Sequence, residues 1–317
     1  MNKINIVIFD LRITSDADIL RRLPMEIKNL KYFLAVAREE NMSRAAQQLH
    51  VSQPTLSKTL KALEEELGKK LFIRHSFSIS LTEEGLLLRD RAQDLIAMAE
   101  KIEQEFTALD DITGGDIYLG LAESYQIRYL AREIYKLKER YPNLTYHITS
   151  GDTEQVTEKL DKGLLDFAVL CETPDSARYD HIRFPQADIW GAVIPISHPL
   201  AAKKSIRVSD LSGQPLLVSE QSWNNEIRSW AKDRFSDLKL EGSFRLSYNG
   251  SVFARENLGI LLTFKDLINT EGTGLVFRPL CPELRSELYL IWNRYQTLTP
   301  IAERFLGQIK KSFPISS

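Results

Sequence analysis

Residues 41–68 read NMSRAAQQLHVSQPTLSKTLKALEEELG, two short helical periods joined by a tight turn and closed by a glycine. In the first period Ala45, Ala46 and Leu49 are the inward residues, and Ser43 is the expected N-cap. His50 and Val51 make the turn. Ser52 is placed to cap the second helix. Pro54 suits its first turn, where backbone N–H groups lack an intrahelical acceptor in any case. Val51 and Leu56 occupy the two positions of a hydrophobic staple. Leu56, Leu60, Leu63 and Leu67 recur at helical spacing and form the expected buried stripe. Away from it point Pro54, Ser57, Lys58 and Lys61, with Gln53 and Thr55 at the leading end. No acidic residue occurs between Asn41 and Leu63. A basic, hydrogen-bonding helix face braced by a shorter helix is the geometry that enters a DNA major groove. An ordinary amphipathic surface hairpin has the same periodicity, so spacing alone does not separate the two.

A longer pattern does. From Ser43 to Arg74 the chain reads S-R-A-A-x-x-L-x-V-S-Q-P-T-L-S-K-x-L-K-A-L-E-E-E-L-G-x-x-L-F-x-R. This resembles the winged helix-turn-helix of LysR-type transcriptional regulators over a long, nearly gap-free match. The resemblance implies a transcription regulator, not an enzyme, that binds double-stranded promoter DNA. Gln53, Thr55, Ser57 and Lys58 are expected at base edges or nearby phosphates, with Pro54 on the same face. Ser43, Arg44, Lys61 and Arg74 are expected along the duplex backbone, although a solvated surface arginine is an equal reading of Arg74. Lys58 stands where the family also often has arginine; it keeps the charge and loses the bidentate fork.

The rest of the composition is consistent with a local, rather than global, DNA-binding charge. A formal net charge of −2 over 317 residues gives nucleic acid no general attraction. Two cysteines, Cys171 and Cys281, make no disulfide framework and fit a reducing cytoplasm. No apolar run approaches the ~20 residues that span a bilayer. The opening MNKINIVIFD carries a strand-like patch, Ile4 to Phe9, but is too short in apolar residues for a signal peptide. Family members usually begin near Met25, so residues 1–24 are expected to be an N-terminal extension or a mis-called start.

The expected organisation is multidomain, α followed by α/β. Residues 25–82 form the winged helix-turn-helix domain, beginning with a helix whose face is Ile27, Leu30, Phe33, Leu34 and Ala37. After Gly68, a left-handed helix stop, Leu71 to Arg74 and Phe77 to Leu81 read as the wing hairpin. Thr82 caps a linker helix over residues 83–112, with Glu83 and Glu84 at its positive end. Along it Leu88, Ala92, Leu95, Ala99, Ile102, Phe106 and Leu109 recur at spacings of four and three, a seam of the coiled-coil kind. The seam suits either a partner helix or packing within the chain. The family pairs two subunits here, as a dimer or dimer of dimers, and two recognition helices on a two-fold axis read an interrupted inverted repeat.

Thr113 to Gly115 reads as a hinge into the effector-binding domain, residues 113–317. Alternating strands and helices there give mainly parallel sheets in two lobes: lobe I at about 115–187 and 290–317, lobe II at about 188–289. The resemblance implies a fold like type 2 periplasmic binding proteins, with a small-molecule effector between the lobes. Asn257 stands where the family often has glycine, and Thr263 where it often has proline. Ligands in open α/β sheets sit at the carboxyl ends of strands, near helix N-termini. That logic, with the family's small polar residues at matching positions, selects Ser124, Gln126, Thr153 and Ser219. Hydroxyls and free amides there suit a small anion or amino-acid-like compound, while Glu123 nearby leaves a neutral or cationic one open. Each is also an ordinary cap residue.

Competing chemistry is thin. The five histidines are scattered, without metal-ligand spacing. No phosphate-binding loop or nucleophile elbow occurs, and Gly272-Thr273-Gly274 is an isolated G-x-G. No cofactor and no metal is expected. Cys171 and Cys281 sit in apolar contexts that favour buried, inert thiols over a redox pair. A small-molecule enzyme with a helical accessory domain would need an acid/base set that is not visible. A sequence-blind architectural DNA protein would need neither the polar helix face nor the two lobes.

Overall fold

The structure, a computed structural model, describes residues 25–75, 78–108 and 113–313. The strand expected over Ile4 to Phe9, the wing residue Phe77 and the last seam residue Leu109 lie outside the described residues. Two compact units part between Ile102 and Glu103, within one helix.

The first unit holds α1 (Ile27–Glu39), α2 (Met42–Gln48), α3 (Gln53–Leu67), β1 (Phe72–Arg74), β2 (Ile79–Leu81) and α4 (Glu83–Ala108) as far as Ile102. Its core gathers Leu30, Phe33 and Val36 of α1, Ala45 and Ala46 of α2, Leu56, Leu60 and Leu63 of α3, and Ala92 of α4. Three expectations need correction. Asn41, not Ser43, caps α2: its side chain accepts from the amides of Ser43 and Arg44, each at 3.0 Å. Ile27 of α1 is 46% exposed and Tyr32, Ala35 and Val36 are buried instead, because α1 is covered by more than one neighbour. On α3 the stripe ends at Leu63; Leu67 is exposed and Glu64 is buried in its place.

Glu64 is buried for a reason. Its carboxylate accepts from the amides of Leu71 (2.9 Å) and Phe72 (3.3 Å), and from Lys70 Nζ (2.8 Å). Burial opposes ionisation, but these donors outweigh it and hold the carboxyl below its usual range. One side chain thus fastens the first strand of the wing to the recognition helix. Gly68 has φ +63°, the left-handed stop that turns the chain toward it. Ser52 caps α3 through the Thr55 amide, as expected.

The second unit contains two mixed sheets. In lobe I, β3 (Gly114–Leu121) lies between β4 (Asn143–Ser150) and β5 (Phe167–Leu170), parallel to both; β12 (Tyr289–Asn293) pairs antiparallel with β5 and β6 (Tyr179–Arg183). Alternate residues Ile117, Leu119 and Leu121 enter a core with α5 (Arg128–Arg140) and the C-terminal helix Pro300–Ser312. On the opposite face, α6 (Thr153–Asp161) packs Val156 and Leu160 against Ala168 and Leu170. In lobe II, β7 (Asp188–Pro195) pairs antiparallel with β10 (Ile260–Phe264) and β11 (Leu275–Pro279), while β8 (Pro215–Ser219) runs parallel to β10 and β9 (Lys239–Phe244). Parallel pairing therefore holds for the βαβ units read from periodicity, and antiparallel strands complete each sheet.

The Thr113–Gly115 segment is not a free hinge. Gly114 and Gly115 begin β3 and register with Asn143 and Leu144. A Cβ on Gly114 would stand 2.5 Å from the Asn143 backbone, so close strand approach, rather than flexibility, accounts for the glycine. Asn257 has φ +61°, the left-handed geometry in which glycine is usual and asparagine is tolerated.

Asp188 begins lobe II's first strand and is fully buried, with neither carboxylate oxygen in hydrogen-bond geometry with any described residue. Desolvation pushes it up to about 6; facing Ser124, Gln126 and Arg128 limit the rise.

Replacing Glu64 by alanine strips three donors of their acceptor. It should cost about 1–3 kcal/mol, read as an earlier urea transition for the N-terminal unit. For Asp188 the folded pKa lies above the unfolded one. Its stabilising contribution is therefore present at low pH and lost as pH rises from about 4 to about 6. Asp188→Asn should accordingly raise stability at pH 7.5, by on the order of 2–3 kcal/mol at most, with the gain vanishing near pH 4. Melting temperatures across that range check it.

Candidate functional site

Two surfaces gather the residues selected above, one in each unit. On the first unit, burial of Leu56, Leu60 and Leu63 turns the opposite side of α3 outward. Gln53, Pro54, Thr55, Lys58 and Lys61 are all exposed and Ser57 is half-buried. Thr55 Oγ1 and Ser52 Oγ lie 2.7 Å apart, which holds the leading end of the helix in one rotamer set. Arg74, at the end of β1, donates from Nη2 to Ser57 Oγ at 3.4 Å, so wing and recognition helix present a joint polar edge. Ser43 and Arg44 are exposed on α2. Arg44 is partly committed, donating to the Glu39 carbonyl at 2.5 Å and standing 3.6 Å from its carboxylate. Lys61 faces Glu65 at 3.4 Å in an exposed i, i+4 pair, a contact worth only a few tenths of a kcal/mol and readily exchanged.

On α4 the seam divides. Leu88 and Ala92 of the seam, with Ile96 beside them, pack into the unit's own core, so that the first part of the expected partner surface is used internally. Leu95, Ile102 and Phe106 are 47%, 46% and 70% exposed. Lys31 of α1 pairs with Glu100 of α4 at 2.9 Å, an exposed contact that adds little to this packing.

In the second unit a cavity of about 530 Å³ opens between the lobes. Lobe I contributes the loops after β3, β4 and β5; lobe II contributes Trp190, the segment after β8, Phe244 at the end of β9 with Arg245 beyond it, and Leu262 to Phe264 of β10. Thr153 and Ser219 line it, as expected. Ser124 and Gln126 do not. The chain turns inward after Glu123, and these two side chains are buried behind the cleft, facing Asp188. Gln126 Oε1 and Arg128 Nε are also buried without a hydrogen-bond partner among the described residues, so the polar cluster around Asp188 is incompletely satisfied.

The lobes are joined across the cavity by side chains. Ser247, on the helix Ser247–Arg255, donates its amide to Glu123 Oε2 at 2.5 Å. Gln221 Nε2 donates to Thr153 Oγ1 at 3.0 Å, and the Thr153 amide donates to Gln221 Oε1 at 3.4 Å. Asp152 caps α6 through the Gln155 amide, and Ser219 caps the following helical turn through Ser222. Thr263 Oγ1 donates to Ser247 Oγ at 3.2 Å, which gives that buried position a polar role.

Glu172 and Gln221 are the site residues that sequence reading passed over. Glu172 follows β5 at its carboxyl end, where the strand-end rule points. Gln221 shows its partner only in three dimensions. Lobe II's helical run, residues 220–237, is also less regular than the single helix expected over Trp223 to Phe235, and includes a π-helical turn at Trp223–Ile227. Glu226 on that turn has Oε2 buried without a partner; desolvation, and then the Glu172 charge, push its carboxyl up. Cys171 lines the floor of the cleft. Desolvation first, then the charges of Asp188, Glu226 and Glu172, push its thiol above the usual range. Among the described residues no group of three or more metal-ligating side chains occurs, and no helix is long and apolar enough to cross a membrane.

Comparison with known proteins places these surfaces. Residues 27–86 match the model described as "Bacterial regulatory helix-turn-helix protein, lysR family", and residues 112–314 match "LysR substrate binding domain". The uncharacterized HTH-type transcriptional regulator YybE of Bacillus subtilis is 26% identical over 295 residues, 91% of this chain and 99% of that one. BsdA of the same organism is 30% identical over 220 residues, 68% and 74% of the two chains. The hydrogen peroxide-inducible genes activator of Dickeya chrysanthemi is 31% identical over 196 residues, 62% and 64%. Among solved structures, CbnR, a LysR family transcriptional regulator, superposes with a TM-score of 0.76 at 19% identity, covering 92% of this chain and all of that one. Recognition-helix face, wing and two-lobed cleft thus occur in the family's order, and the chain belongs to the LysR family of DNA-binding transcription regulators.

Proposed function

We propose that this regulator reads an interrupted inverted repeat in promoter DNA as a cytoplasmic dimer or dimer of dimers, and that a small molecule between its lobes sets its activity. The observation that carries this is the outward side of α3: from Gln53 to Lys61 it presents amide, hydroxyl and ammonium groups with no carboxylate among them. Gln53, Thr55, Ser57 and Lys58, with Pro54 beside them, approach base edges and nearby phosphates. Ser43, Arg44, Lys61 and Arg74 hold the backbone, which fixes position without reading sequence. The solved complex of CbnR with its target DNA shows a protein of this fold on a duplex.

Self-association runs through the part of α4 that its own core leaves exposed, Leu95, Ile102 and Phe106. The effector occupies the interlobe cavity, where Thr153 and Ser219 reach it directly and Ser124 and Gln126 act from behind through the polar cluster at Asp188. Ligand that binds one lobe arrangement better than the other shifts the population between them. Movement of one lobe against the other has to break or remake the interlobe pairs Glu123–Ser247 and Thr153–Gln221. The peroxide response printed in some relatives' names is not part of this reading. Reaction with peroxide needs a thiolate, and partial burial beside the charges of Asp188, Glu226 and Glu172 disfavours one at Cys171.

Three measurements test the reading. Lys61→Ala should weaken binding about evenly across operator and random duplex and reduce the salt slope by about one, whereas Gln53→Ala should relax preference at one position per half-site. Titration of base-substituted operators at two salt concentrations separates them; a changed sequence preference in Lys61→Ala would show that it reads bases. Phe106→Asp should shift the protein toward monomer in sedimentation and remove paired protection of the two half-sites. Footprints that stay unchanged at saturating ligand would exclude the coupling between cleft and DNA.

A further inference from the structure

The three helix starts that face the cleft are the places where a carboxylate or phosphate would normally settle. All three are already occupied by the protein's own side chains. Glu123 accepts from the Ser247 amide at the start of Ser247–Arg255, Asp152 accepts from Gln155 on α6, and Ser219 accepts from Ser222 after β8. Two of these three caps are carboxylates, so the positive helix ends are neutralised before any ligand arrives.

The remaining charge on the walls has one dominant sign. Glu154, Glu172 and Glu220 line the cavity in addition to Glu123 and Asp152, against a single lining cation, Arg245. Glu154 and Glu220 are exposed, as is Arg245, while Glu172 is half-buried. The excess continues behind the floor. Asp188 is fully buried behind the floor, where it faces Ser124, Gln126 and Arg128, and its charge reaches Cys171 on the cleft floor. Glu226 lies close enough to Glu172 for their charges to oppose each other, and one of its oxygens is buried and unpartnered. Between these carboxylates the cavity offers aromatic surface from Trp190, Phe244 and Phe264. Carboxylates in excess of cations beside aromatic walls favour a cation, which gains both Coulomb and cation–π attraction, and disfavour an anion.

We propose that the cleft selects a small organic cation, an aliphatic amine carrying one or more primary ammonium groups, with one ammonium held at Glu172. This rests on the reading of the cleft as the effector site. It assigns to that site the cationic class rather than the anion that its hydroxyls and helix ends suggest from sequence.

The test is calorimetric titration of the full-length protein at pH 7.5 with three probes of one chain length: 1,5-diaminopentane, glutarate and 1,5-pentanediol. The diamine should bind and the other two should give no heat. Glu172→Gln should weaken the diamine about tenfold, the equivalent of losing one charge-assisted contact. The substitution also relieves repulsion with Glu226, so its melting temperature without ligand should match or exceed that of the parent. Should it melt lower, Glu220→Gln at the exposed rim provides a second variant, expected to weaken the diamine about two- to threefold through its field alone. Glutarate or the diol binding as well as the diamine, undiminished diamine binding in the charge-neutral variants, or no heat from any probe would each overturn the assignment. If glutarate binds, and Thr153→Leu abolishes it, the cleft reading stands and only the cationic class falls. If a probe binds and Thr153→Leu leaves it unchanged, the cleft itself is not the site.

Discussion

The N-terminal unit depends on burying Leu56, Leu60 and Leu63 along one side of a 15-residue helix. Each fully buried leucine contributes about 1.5–3 kcal/mol relative to exposure, so rotation of α3 about its axis is strongly resisted. With 3.6 residues per turn, fixing that side fixes the other. Gln53, Thr55, Lys58 and Lys61 are outward because the leucines are inward. The wing is then referenced to the same helix by Glu64, whose carboxylate takes the amides of Leu71 and Phe72 as they leave it. The helix and the first strand of the wing are thereby tied to each other.

In the ligand-binding unit the corresponding constraint is satisfaction of backbone amides at helix starts. A helix that begins at a cleft exposes unpaired N–H groups, which either bind an anion or are capped from within. Here they are capped from within, and one cap crosses between lobes. Glu123 belongs to the loop after β3 of lobe I, while the Ser247 amide that it accepts belongs to lobe II. Capping energy and lobe closure are therefore the same interaction. That coupling ties the electrostatics of the cleft to the contact between the lobes.

The α4 seam illustrates how one periodicity serves two purposes. Spacings of four and three from Leu88 to Phe106 are continuous in sequence, yet Leu88 and Ala92 close the core of their own unit while Ile102 and Phe106 are left open. A repeat records that a helix has an apolar side. It does not record how far along the helix a neighbour extends.

Much of the molecule was legible in the chain alone. Local chemistry determined the helix-turn-helix, the Ser52 cap, the Gly68 stop, the wing and the βαβ order, because each depends on residues within a few positions of one another. Thr153 and Ser219 were legible as cleft residues because strand ends and helix starts are local features too. Tertiary structure decided what depends on distant neighbours. Glu64 is inside and Leu67 outside because the amides of the wing arrive at position 64. Ser124 and Gln126 turn away from the cleft toward Asp188, which lies more than sixty residues further along. Antiparallel strands such as Tyr179–Arg183 complete sheets whose periodicity announces only their parallel core. The sign of charge in the cleft was decided the same way. Carboxylates scattered from Glu123 to Glu220 are unremarkable along the chain and become one electrostatic field only when two lobes bring them to a common cavity.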